Sequence, residues 1–315
     1  MRARWLRIGL VVVFALLVSA YGYTAWFFSG RVVAFDQTSL TDATRFQREF
    51  GLPSVPEEVG LPAPEEFEIP ASGVTLSGWY FENAGNAKCA VLLLHGRAQT
   101  RLEMLPYAPL FWERGCSIAM FDARHHGDSS GTYGTWGYYE HQDALTVLEW
   151  LEQKTGLLPD QIGIMGVSYG AATSIFVAAS EPGYAFAAAD SSYASLRRLL
   201  EEQATIQYGE IVRIGFVGPA LWLAGLRADF VPQEVSPAEA IQGVSDPVFL
   251  LHSREDATTQ ANHSEVIFSN ADPARTVLHI TDWGAEHAES IRVDFATYQL
   301  LMDDFLDMFV PGFGR

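Results

Sequence analysis

One pentapeptide, Gly166-Val167-Ser168-Tyr169-Gly170, constrains the fold of this chain more than any other feature. An apolar stretch typical of a buried strand, residues 160–167, leads into it, and small residues that suit a helix packed close to a sheet, 171–179, follow it. A serine on a sharp turn between a strand and a helix needs strained backbone angles and small neighbours, which the two glycines provide. The segment therefore predicts a parallel sheet with the Ser168 hydroxyl at its carboxyl edge.

Strands and helices alternate along much of the chain. An antiparallel pair of strands is expected first, at residues 67–69 and 74–81. Apolar runs typical of strands covered on both faces follow at residues 90–94, 117–121, 162–165, 185–189, 247–251 and 276–280. Helices are expected over residues 101–115, 138–154 and 291–310. The alternation predicts an α/β domain over residues 67–315, with a mostly parallel eight-stranded sheet flanked by helices.

The alternation stops between residues 195 and 245, where the chain has helical character. We predict a small helical cap there, with an apolar stretch over residues 211–226. Two interpretations stay open for this stretch: a packing helix without a substrate role, or a lid that lines an acyl pocket or touches a bilayer. Glycine and proline interrupt it, which argues against a second membrane span.

The N-terminus predicts a transmembrane helix, placed within residues 1–30. A basic segment, residues 1–7, precedes Ile8–Phe28, which has no charged residue and is close to the length that spans a bilayer. The basic flank places the N-terminus in the cytoplasm and the domain outside it, in the periplasm or the extracellular space. Two alternatives stay open: a signal peptide cleaved near Val18-Ser-Ala20, which would give a secreted protein, and a buried core helix. Residues 31–66 are expected to be a linker between membrane and domain.

The charge of the chain restricts its partners. The formal net charge is −18, which argues against nucleic-acid binding because that needs a basic face. None of the eight histidines has zinc-ligand spacing, so we expect no metal and no cofactor. The oligomeric state stays open.

Cys89 and Cys116 are the only cysteines. Each begins an apolar strand, so the two thiols would lie side by side if those strands were neighbours. We interpret them as two reduced core cysteines; a disulfide is the alternative, permitted by an exported location.

Motifs in a fixed order carry a resemblance to the α/β-hydrolase superfamily, from about residue 67 to the C-terminus. They are Leu94-His95-Gly96-Arg97, Asp122-Ala-Arg124-His-His126-Gly127, the pentapeptide, His252-Ser-Arg-Glu-Asp256 and Gly284-Ala-Glu-His287. The resemblance implies the α/β-hydrolase fold and makes the pentapeptide a nucleophile elbow. Two stretches, residues 190–196 and 235–240, look most like the membrane-anchored BEM46-like and ABHD17-like serine hydrolases.

The resemblance implies a catalytic triad. Ser168 would be the nucleophile, His287 the base and then the acid, and Asp256 the carboxylate that orients His287. The backbone amides of Tyr169 and Arg97 would form an oxyanion hole. Glu255, beside Asp256, is the alternative acid.

Other polar residues receive weaker assignments. Arg97 departs from the family pattern, and its side chain, together with Arg101 or Arg124, is either ordinary surface charge or a site for a phosphate or carboxylate. We expect Arg101, Arg124, Tyr193 and Trp222 to contact substrate. Among the remaining histidines, His95 and His126 are expected to satisfy backbone hydrogen bonds, His279 to be packed in a strand and His263 to be exposed.

These residues predict a serine hydrolase that cleaves esters or thioesters through an acyl-enzyme. A small-molecule or lipid-like acyl substrate is expected, because an anchor would hold the site near a bilayer. A peptidase or amidase of the same fold and a non-catalytic, membrane-tethered binding protein are the alternatives.

Overall fold

A computed structural model describes residues 2–83 and 87–314 of the chain. Its strands form one eight-stranded sheet in the order β1-β2-β4-β3-β5-β6-β7-β8. The strands are β1 (Glu65–Ala71), β2 (Val74–Phe81), β3 (Ala90–Leu94), β4 (Ser117–Phe121), β5 (Ile162–Val167), β6 (Phe186–Asp190), β7 (Val248–Ser253) and β8 (Thr276–Thr281). β1 and β2 are antiparallel to their neighbours, and the remaining pairs are parallel. The α/β-hydrolase fold predicted from the sequence is confirmed.

Helices cover both faces of the sheet. They are α1 (Arg2–Val33), α2 (Leu40–Glu49), α3 (Pro109–Trp112), α4 (Glu140–Thr155), α5 (Tyr169–Ser180), α6 (Leu196–Tyr208), α7 (Glu210–Ala228), α8 (Pro237–Ala240), α9 (Asn262–Asn270), α10 (Ser290–Val293) and α11 (Phe295–Phe309). Short 3-10 helices occur at Pro56–Val59, Arg101–Tyr107, Pro159–Gln161, Pro232–Glu234 and Ile241–Gly243.

Two predicted helices are interrupted. The helix expected over residues 101–115 is a 3-10 turn followed by α3, and Pro106 lies inside the first of these. The helix expected over residues 291–310 breaks at Asp294, whose side chain accepts a hydrogen bond from the Thr297 amide, 3.0 Å away, and so caps α11.

The core lies on the two faces of the sheet because side chains alternate along each strand. In β3, Val91 and Leu93 pack into the cluster that contains Phe305 of α11, and Leu92 packs into the cluster that contains Leu148 of α4. All of these side chains except Phe305 are fully buried, and Phe305 is 2% exposed. Burial of each such side chain stabilises the fold by about 1.5–3 kcal/mol. This two-sided core holds the carboxyl edge of the sheet rigid.

Residues 31–66 do not form the free linker expected from the sequence. Val33, Phe35, Ala43 and Leu61 are buried, with Val33 fully enclosed. Ala43 and Leu61 belong to the cluster on the α11 face of the sheet. A spacer buries no side chains, whereas this segment packs on the domain through both α2 and the chain around it.

The N-terminal helix contacts the cap. The Tyr21 hydroxyl donates a hydrogen bond to the Gly215 carbonyl at 2.7 Å, and the Phe28 ring packs on Phe216. The Arg227 guanidinium stacks 3.2 Å from the centroid of the Trp26 ring. The last third of α1 is therefore part of the domain, while its earlier apolar side chains, from Trp5 to Val18, are exposed.

Two helices are long and apolar enough to cross a membrane by length and composition, Arg4–Val33 and Glu210–Ala228. The second is the main part of the predicted cap. Apolar side chains recur along its outer face at helical spacing, at Ile211, Ile214, Trp222 and Leu226. This exposed stripe lies on the helix that packs against the N-terminal helix.

Cys89 and Cys116 form a disulfide, so the interpretation of two reduced cysteines is wrong. They stand immediately before β3 and β4, which are parallel neighbours in the sheet. Their Cα atoms lie 4.6 Å apart, within the range that a disulfide spans. Sequence could not decide between the two states because the order of the strands is a tertiary property.

Candidate active site

Ser168 lies at the turn between β5 and α5 with a positive φ of 53°. This region is costly for a residue with a side chain, and the surroundings fix it: the Ser168 amide donates to the Asp190 carbonyl at 2.8 Å. A Cβ added to Gly166 would lie 2.1 Å from the Gly170 carbonyl oxygen, and one added to Gly170 would lie 2.2 Å from the Leu94 oxygen. The two glycines are needed because the turn brings backbone segments into contact, as the sequence predicted.

The loops after β7 and β8 bring two further predicted residues to Ser168. His287 Nε2 lies 2.8 Å from Ser168 Oγ, and His287 Nδ1 lies 2.6 Å from Asp256 Oδ2. The imidazole therefore donates through Nδ1 to the carboxylate and accepts the serine proton at Nε2. Glu255, the alternative acid, instead accepts a hydrogen bond from Ser253.

Asp256 is held as a carboxylate. Burial opposes its ionisation, but hydrogen bonds from His252 and His287 and from the Thr259 amide outweigh burial and hold the pKa of Asp256 below its usual range. The Thr258 and Thr259 amides donate to Oδ1 at 2.9 and 2.8 Å. One carboxylate oxygen is thus fixed by the backbone and the other is left for the histidines.

His252 is a residue whose part in this site the sequence reasoning missed. Its Nε2 lies 3.1 Å from Asp256 Oδ2 and 2.7 Å from the Thr259 carbonyl, while its Nδ1 lies 2.7 Å from Ser264 Oγ. Both neighbours of Nε2 are acceptors, so Nε2 carries the proton. The signal in the sequence was a histidine at the end of a buried strand, four residues before Asp256.

Ser253 joins the two loops. Its Oγ lies 2.6 Å from the carbonyl oxygen of Ala285, two residues before His287. The hydroxyl ties the turn that carries Asp256 to the turn that carries His287. This hydrogen bond therefore fixes the relative position of the two residues.

The amides of Tyr169 and Arg97 lie at the same edge of the sheet. Tyr169 is the first residue of α5, and Arg97 follows β3, whose last residue Leu94 contacts Gly170. His95 shapes this loop, because its Nε2 accepts the Ala123 amide at 2.9 Å and its Nδ1 bonds the Gly96 carbonyl at 2.7 Å. In the part of the chain that the structure describes, neither the Tyr169 nor the Arg97 amide donates to a protein acceptor. Both are available to an incoming oxygen.

Asp190 is a buried acid that lies next to the turn carrying Ser168. Its side chain accepts hydrogen bonds from Tyr107 at 2.9 Å, Ser191 at 2.9 Å and Tyr298 at 3.2 Å. Burial raises the pKa of Asp190 against the effect of these hydrogen bonds. The same residue holds the Ser168 amide, so the network anchors the turn from below.

A cavity of about 340 Å³ lies beside Arg97, between the end of α1, the cap and the loop after β3. Its apolar lining includes Phe28, Phe35, Trp136, Leu200, Val212, Phe216 and Val217, and its charged lining is Arg31, Asp36 and Arg97. The helical segment predicted as a cap therefore lines this cavity, and the end of the N-terminal helix, which was predicted from the sequence as an anchor, forms one of its walls.

The residues expected to contact substrate lie elsewhere. Arg101, 3% exposed, pairs with Asp122 and Asp128, both at 2.8 Å. Arg124 makes a two-pronged ion pair with Asp143 at 2.6 and 2.7 Å. Both guanidinium groups are occupied by carboxylates, which corrects the expectation that they bind substrate.

The two aromatic residues expected at the substrate are also placed differently. Tyr193 is buried, and its hydroxyl donates to the Trp136 carbonyl at 2.5 Å. Trp222 is 62% exposed on the outer face of α7 and does not line the cavity. Neither contacts the cavity, because one is used in packing and the other points away from the domain.

The remaining histidines follow the expectations in part. His95 and His126 bond backbone groups, as expected. His279 on β8 packs on Phe249. His263 is fully buried rather than exposed, because Glu202 of the cap bonds its Nε2 at 2.7 Å and the Ala194 amide bonds its Nδ1 at 2.9 Å. Among residues 2–83 and 87–314, no group of three or more histidine, cysteine or acidic side chains is arranged to hold a metal.

Comparison with known proteins matches the sequence to a family. The sequence model of the X-Pro dipeptidyl-peptidase (S15) family matches residues 36–213. The match begins well before residue 67, where the resemblance seen in the sequence was expected to start. The uncharacterized protein YqkD of Bacillus subtilis is 29% identical over 247 residues, which cover 76% of this chain and 78% of that relative.

Solved structures share the fold. The esterase Pf2001 of Pyrococcus furiosus superposes with a TM-score of 0.65 at 23% identity, covering 81% of this chain and 95% of that one. The acylaminoacyl peptidase of Pyrococcus horikoshii superposes with a TM-score of 0.60 at 18% identity, covering 80% of this chain and 43% of that one. At these identities the likeness concerns the fold alone.

Proposed function

Because the chain belongs to the X-Pro dipeptidyl-peptidase (S15) family, within the α/β-hydrolase superfamily, we propose that it is a serine hydrolase acting through Ser168. The observation that carries the proposal is the hydrogen-bonded chain from Ser168 through His287 to Asp256, with distances of 2.8 and 2.6 Å. The substrate class proposed is a carboxylic ester or thioester.

The chemistry follows from this chain of contacts. Ser168 Oγ attacks the carbonyl carbon while His287 Nε2 takes the hydroxyl proton, and the carbonyl double bond opens to an oxyanion. Collapse of this intermediate breaks the bond to the alcohol or thiol, which leaves with the proton from His287. A water molecule then attacks the acyl-serine with His287 again as base, releasing the acid and restoring the Ser168 hydroxyl.

Asp256 and two amides support these steps. The carboxylate fixes His287 in the tautomer that accepts at Nε2 and stabilises the imidazolium that forms. The amides of Tyr169 and Arg97 are proposed to donate to the oxyanion, with the N-terminus of α5 adding a favourable dipole. Loss of one such donor typically costs about 3 kcal/mol of transition-state stabilisation.

A peptidase or amidase is the second candidate, and the family match favours it. A dipeptidyl-peptidase must bind the free ammonium group of its substrate. The cavity argues against such a substrate, because its charged lining of two arginines and one aspartate carries a net positive charge and repels an ammonium group. The cavity therefore favours an uncharged or anionic acyl substrate.

We also propose that α1 anchors the protein, with the N-terminus in the cytoplasm and the domain exported. The basic residues before the apolar segment support this orientation. The disulfide supports an oxidising compartment. Cleavage near Ala20 would leave the contacts of Tyr21, Trp26 and Phe28 with the cap intact, so a secreted form retains the same site. The grouping with BEM46-like and ABHD17-like hydrolases is part of this proposal.

A fluorophosphonate probe tests the hydrolase proposal directly. We expect the full-length protein in detergent to be labelled, and Ser168→Ala to abolish the labelling. Ser269→Ala, which removes an exposed hydroxyl on α9 bonded to the Val266 carbonyl, serves as a serine control and should retain the labelling. No labelling of folded protein would contradict the proposal and favour the non-catalytic binding protein.

A substrate panel separates the ester and peptide candidates. Nitrophenyl esters of increasing chain length, acyl thioesters and X-Pro nitroanilides are compared by kcat/KM. We expect the esters and thioesters to be cleaved faster than the nitroanilides by a margin above their difference in intrinsic reactivity. Preferred cleavage of X-Pro nitroanilides would instead establish the peptidase.

A further inference from the structure

Two arginine side chains reach the cavity without a carboxylate partner. Arg31 comes from the last turn of α1 and Arg97 from the loop after β3. Within the described chain, neither makes an ion pair, whereas Arg101, Arg114 and Arg124 each pair with aspartates. The chain has 38 acidic residues against 20 basic ones, so unpaired arginines are not explained by a shortage of carboxylates.

The Arg97 side chain is exposed, lines the cavity and lies over two aromatic rings. It lies 5.4 Å from the centroid of the Phe35 ring and 5.3 Å from that of the Trp136 ring. Removal from water lowers the pKa of Arg97, and the positive charge of Arg31 lowers it further. Two like charges therefore face one space, and an anion between them would relieve the repulsion.

The remaining lining defines what else the ligand carries. Asp36 also lines the cavity, so its formal charge with both arginines is one positive unit. The other walls are mostly apolar, with Phe28, Val212 and Phe216 among them. A cavity with apolar walls and two unpaired guanidinium groups matches an amphiphile with one anionic group and an apolar chain.

We propose that this cavity selects ester substrates that carry an anionic group, bound between Arg31 and Arg97, with their apolar chain along the cap. The inference rests on the proposed function, because Arg97 lines the cavity and also lies in the loop of the proposed oxyanion hole, whereas Ser168 and His287 do not line the cavity. The Arg97 backbone is also the proposed oxyanion donor, so the cavity adjoins the loop that would hold the carbonyl oxygen of the substrate. The group is a phosphate on the alcohol side or a carboxylate on the acyl chain.

Matched pairs of substrates test the proposal in full-length protein in detergent. One pair is 1-oleoyl-glycerol 3-phosphate against 1-oleoyl-glycerol, which differ only in the phosphate. The other is the mono-nitrophenyl ester of octanedioic acid against nitrophenyl octanoate, which differ in the terminal carboxylate. We expect kcat/KM to favour the anionic member of at least one pair, and the pair that responds identifies the position of the anion.

Arg31→Gln is the decisive variant, because it removes one guanidinium without touching the proposed oxyanion donor. We expect it to reduce the preference for the anionic substrate by about tenfold to a hundredfold, the worth of a hydrogen bond to a charged group. Arg45→Gln, on the exposed face of α2 and paired only with Asp42, is the matched control and should leave the ratio unchanged. If kcat/KM favoured the neutral member of both pairs and Arg31→Gln left that ratio unchanged, the proposal would be overturned.

A binding measurement separates this inference from the hydrolase proposal. Octyl phosphate and octanol are compared as ligands of the Ser168→Ala variant by thermal unfolding. We expect octyl phosphate to raise the unfolding midpoint more than octanol, and the additional Arg31→Gln change to remove the difference. Equal effects of both ligands would refute the anion site even if ester hydrolysis were observed. A selective effect of octyl phosphate without any hydrolysis would sustain the site and refute the proposed reaction.

Discussion

Asp256 contacts two histidines through one carboxylate oxygen, so the geometry of the candidate site depends on it more than on any other side chain. His287 faces the serine, while His252 lies behind and holds the carboxylate from the side of Thr259 and Ser264. The backbone fixes the second oxygen. The arrangement leaves the carboxylate little freedom to rotate, which keeps His287 in the orientation that catalysis would need.

We expect Asp256→Asn to reduce kcat for a nitrophenyl ester by about 10³–10⁴-fold while the fold stays intact. The neutral amide has no charge to stabilise the imidazolium, and its NH2 group can hold His287 in the wrong tautomer. Glu255→Gln is the matched control, since it changes the neighbouring carboxylate that contacts Ser253 instead. Its kcat should stay within about twofold of the parent. A large loss in Glu255→Gln with little change in Asp256→Asn would assign the acid to the other residue.

At the level of single residues, sequence could find those whose role depends on local backbone. The turn at Ser168 and the order of Ser168, Asp256 and His287 were readable from short motifs. Arg101 and Arg124 were misassigned because their aspartate partners are joined to them only by the folded loops. His263 was expected to be exposed because its partner, Glu202, comes from the cap.

At the level of elements, the cavity is formed where three of them meet. The end of α1, the cap helices α6 and α7, and the loop after β3 each supply a wall. The apolar strands and flanking helices were predictable, because each is encoded by a continuous periodic pattern. The cavity was not, because it is formed by contacts between an N-terminal helix and a cap that lie far apart in the sequence.

Filling the cavity should shorten the preferred acyl chain. Ala204 lines it from α6, and Ala204→Phe would occupy space that the chain of a long ester needs. Loss of contact for about four methylene groups corresponds to about 3 kcal/mol. We expect kcat/KM for nitrophenyl decanoate to fall by about a hundredfold, while the value for the acetate changes by less than about threefold.

Ile206→Phe is the control for this change, since it introduces the same ring on the exposed side of the same helix. It should leave the chain-length profile of the parent unchanged. If both variants lost long-chain activity equally, the effect would come from the helix itself rather than from the cavity.

At the level of the whole molecule, the disulfide contributes to stability by closing a loop of 27 residues between two central strands. Cross-linking a loop of this length restricts the unfolded chain and stabilises the fold by about 3 kcal/mol. We expect the Cys89→Ala/Cys116→Ala variant to lose about 2–4 kcal/mol of unfolding free energy in urea. Dithiothreitol should lower the stability of the parent toward that of the variant and leave the variant unaffected. A parent with two free thiols in a non-reducing mass measurement would contradict this prediction.

The stability of the molecule should also depend on pH through His126. Burial, and next the nearby His95, lowers the pKa of His126 well below its usual value, so the folded protein holds it neutral. Because the unfolded chain binds its proton near pH 6.5, the stability that His126 contributes is present above that pH and is lost as pH falls below it.

Asp190 changes the stability in the opposite sense. Burial raises the pKa of Asp190, so the stability that it contributes is lost as pH rises. The His126 contribution is therefore measured as a difference between proteins. Between pH 7 and pH 5, we expect the parent to lose up to about 2 kcal/mol more unfolding free energy than His126→Gln. If the parent and His126→Gln lost the same unfolding free energy between the two pH values in urea unfolding, His126 would not be held neutral.

The contact between α1 and the cap also limits how the parts of this protein can be exchanged. Phe28, Arg31 and Val32 are cavity walls and belong to the same helix as the apolar N-terminal segment. A different apolar helix grafted at the N-terminus would replace the proposed membrane anchor, but it would also replace the side chains that α1 contributes to the cavity. With the anchor proposed above, one helix would carry both the membrane tether and a wall of the cavity, so a change to the tether would also change the cavity.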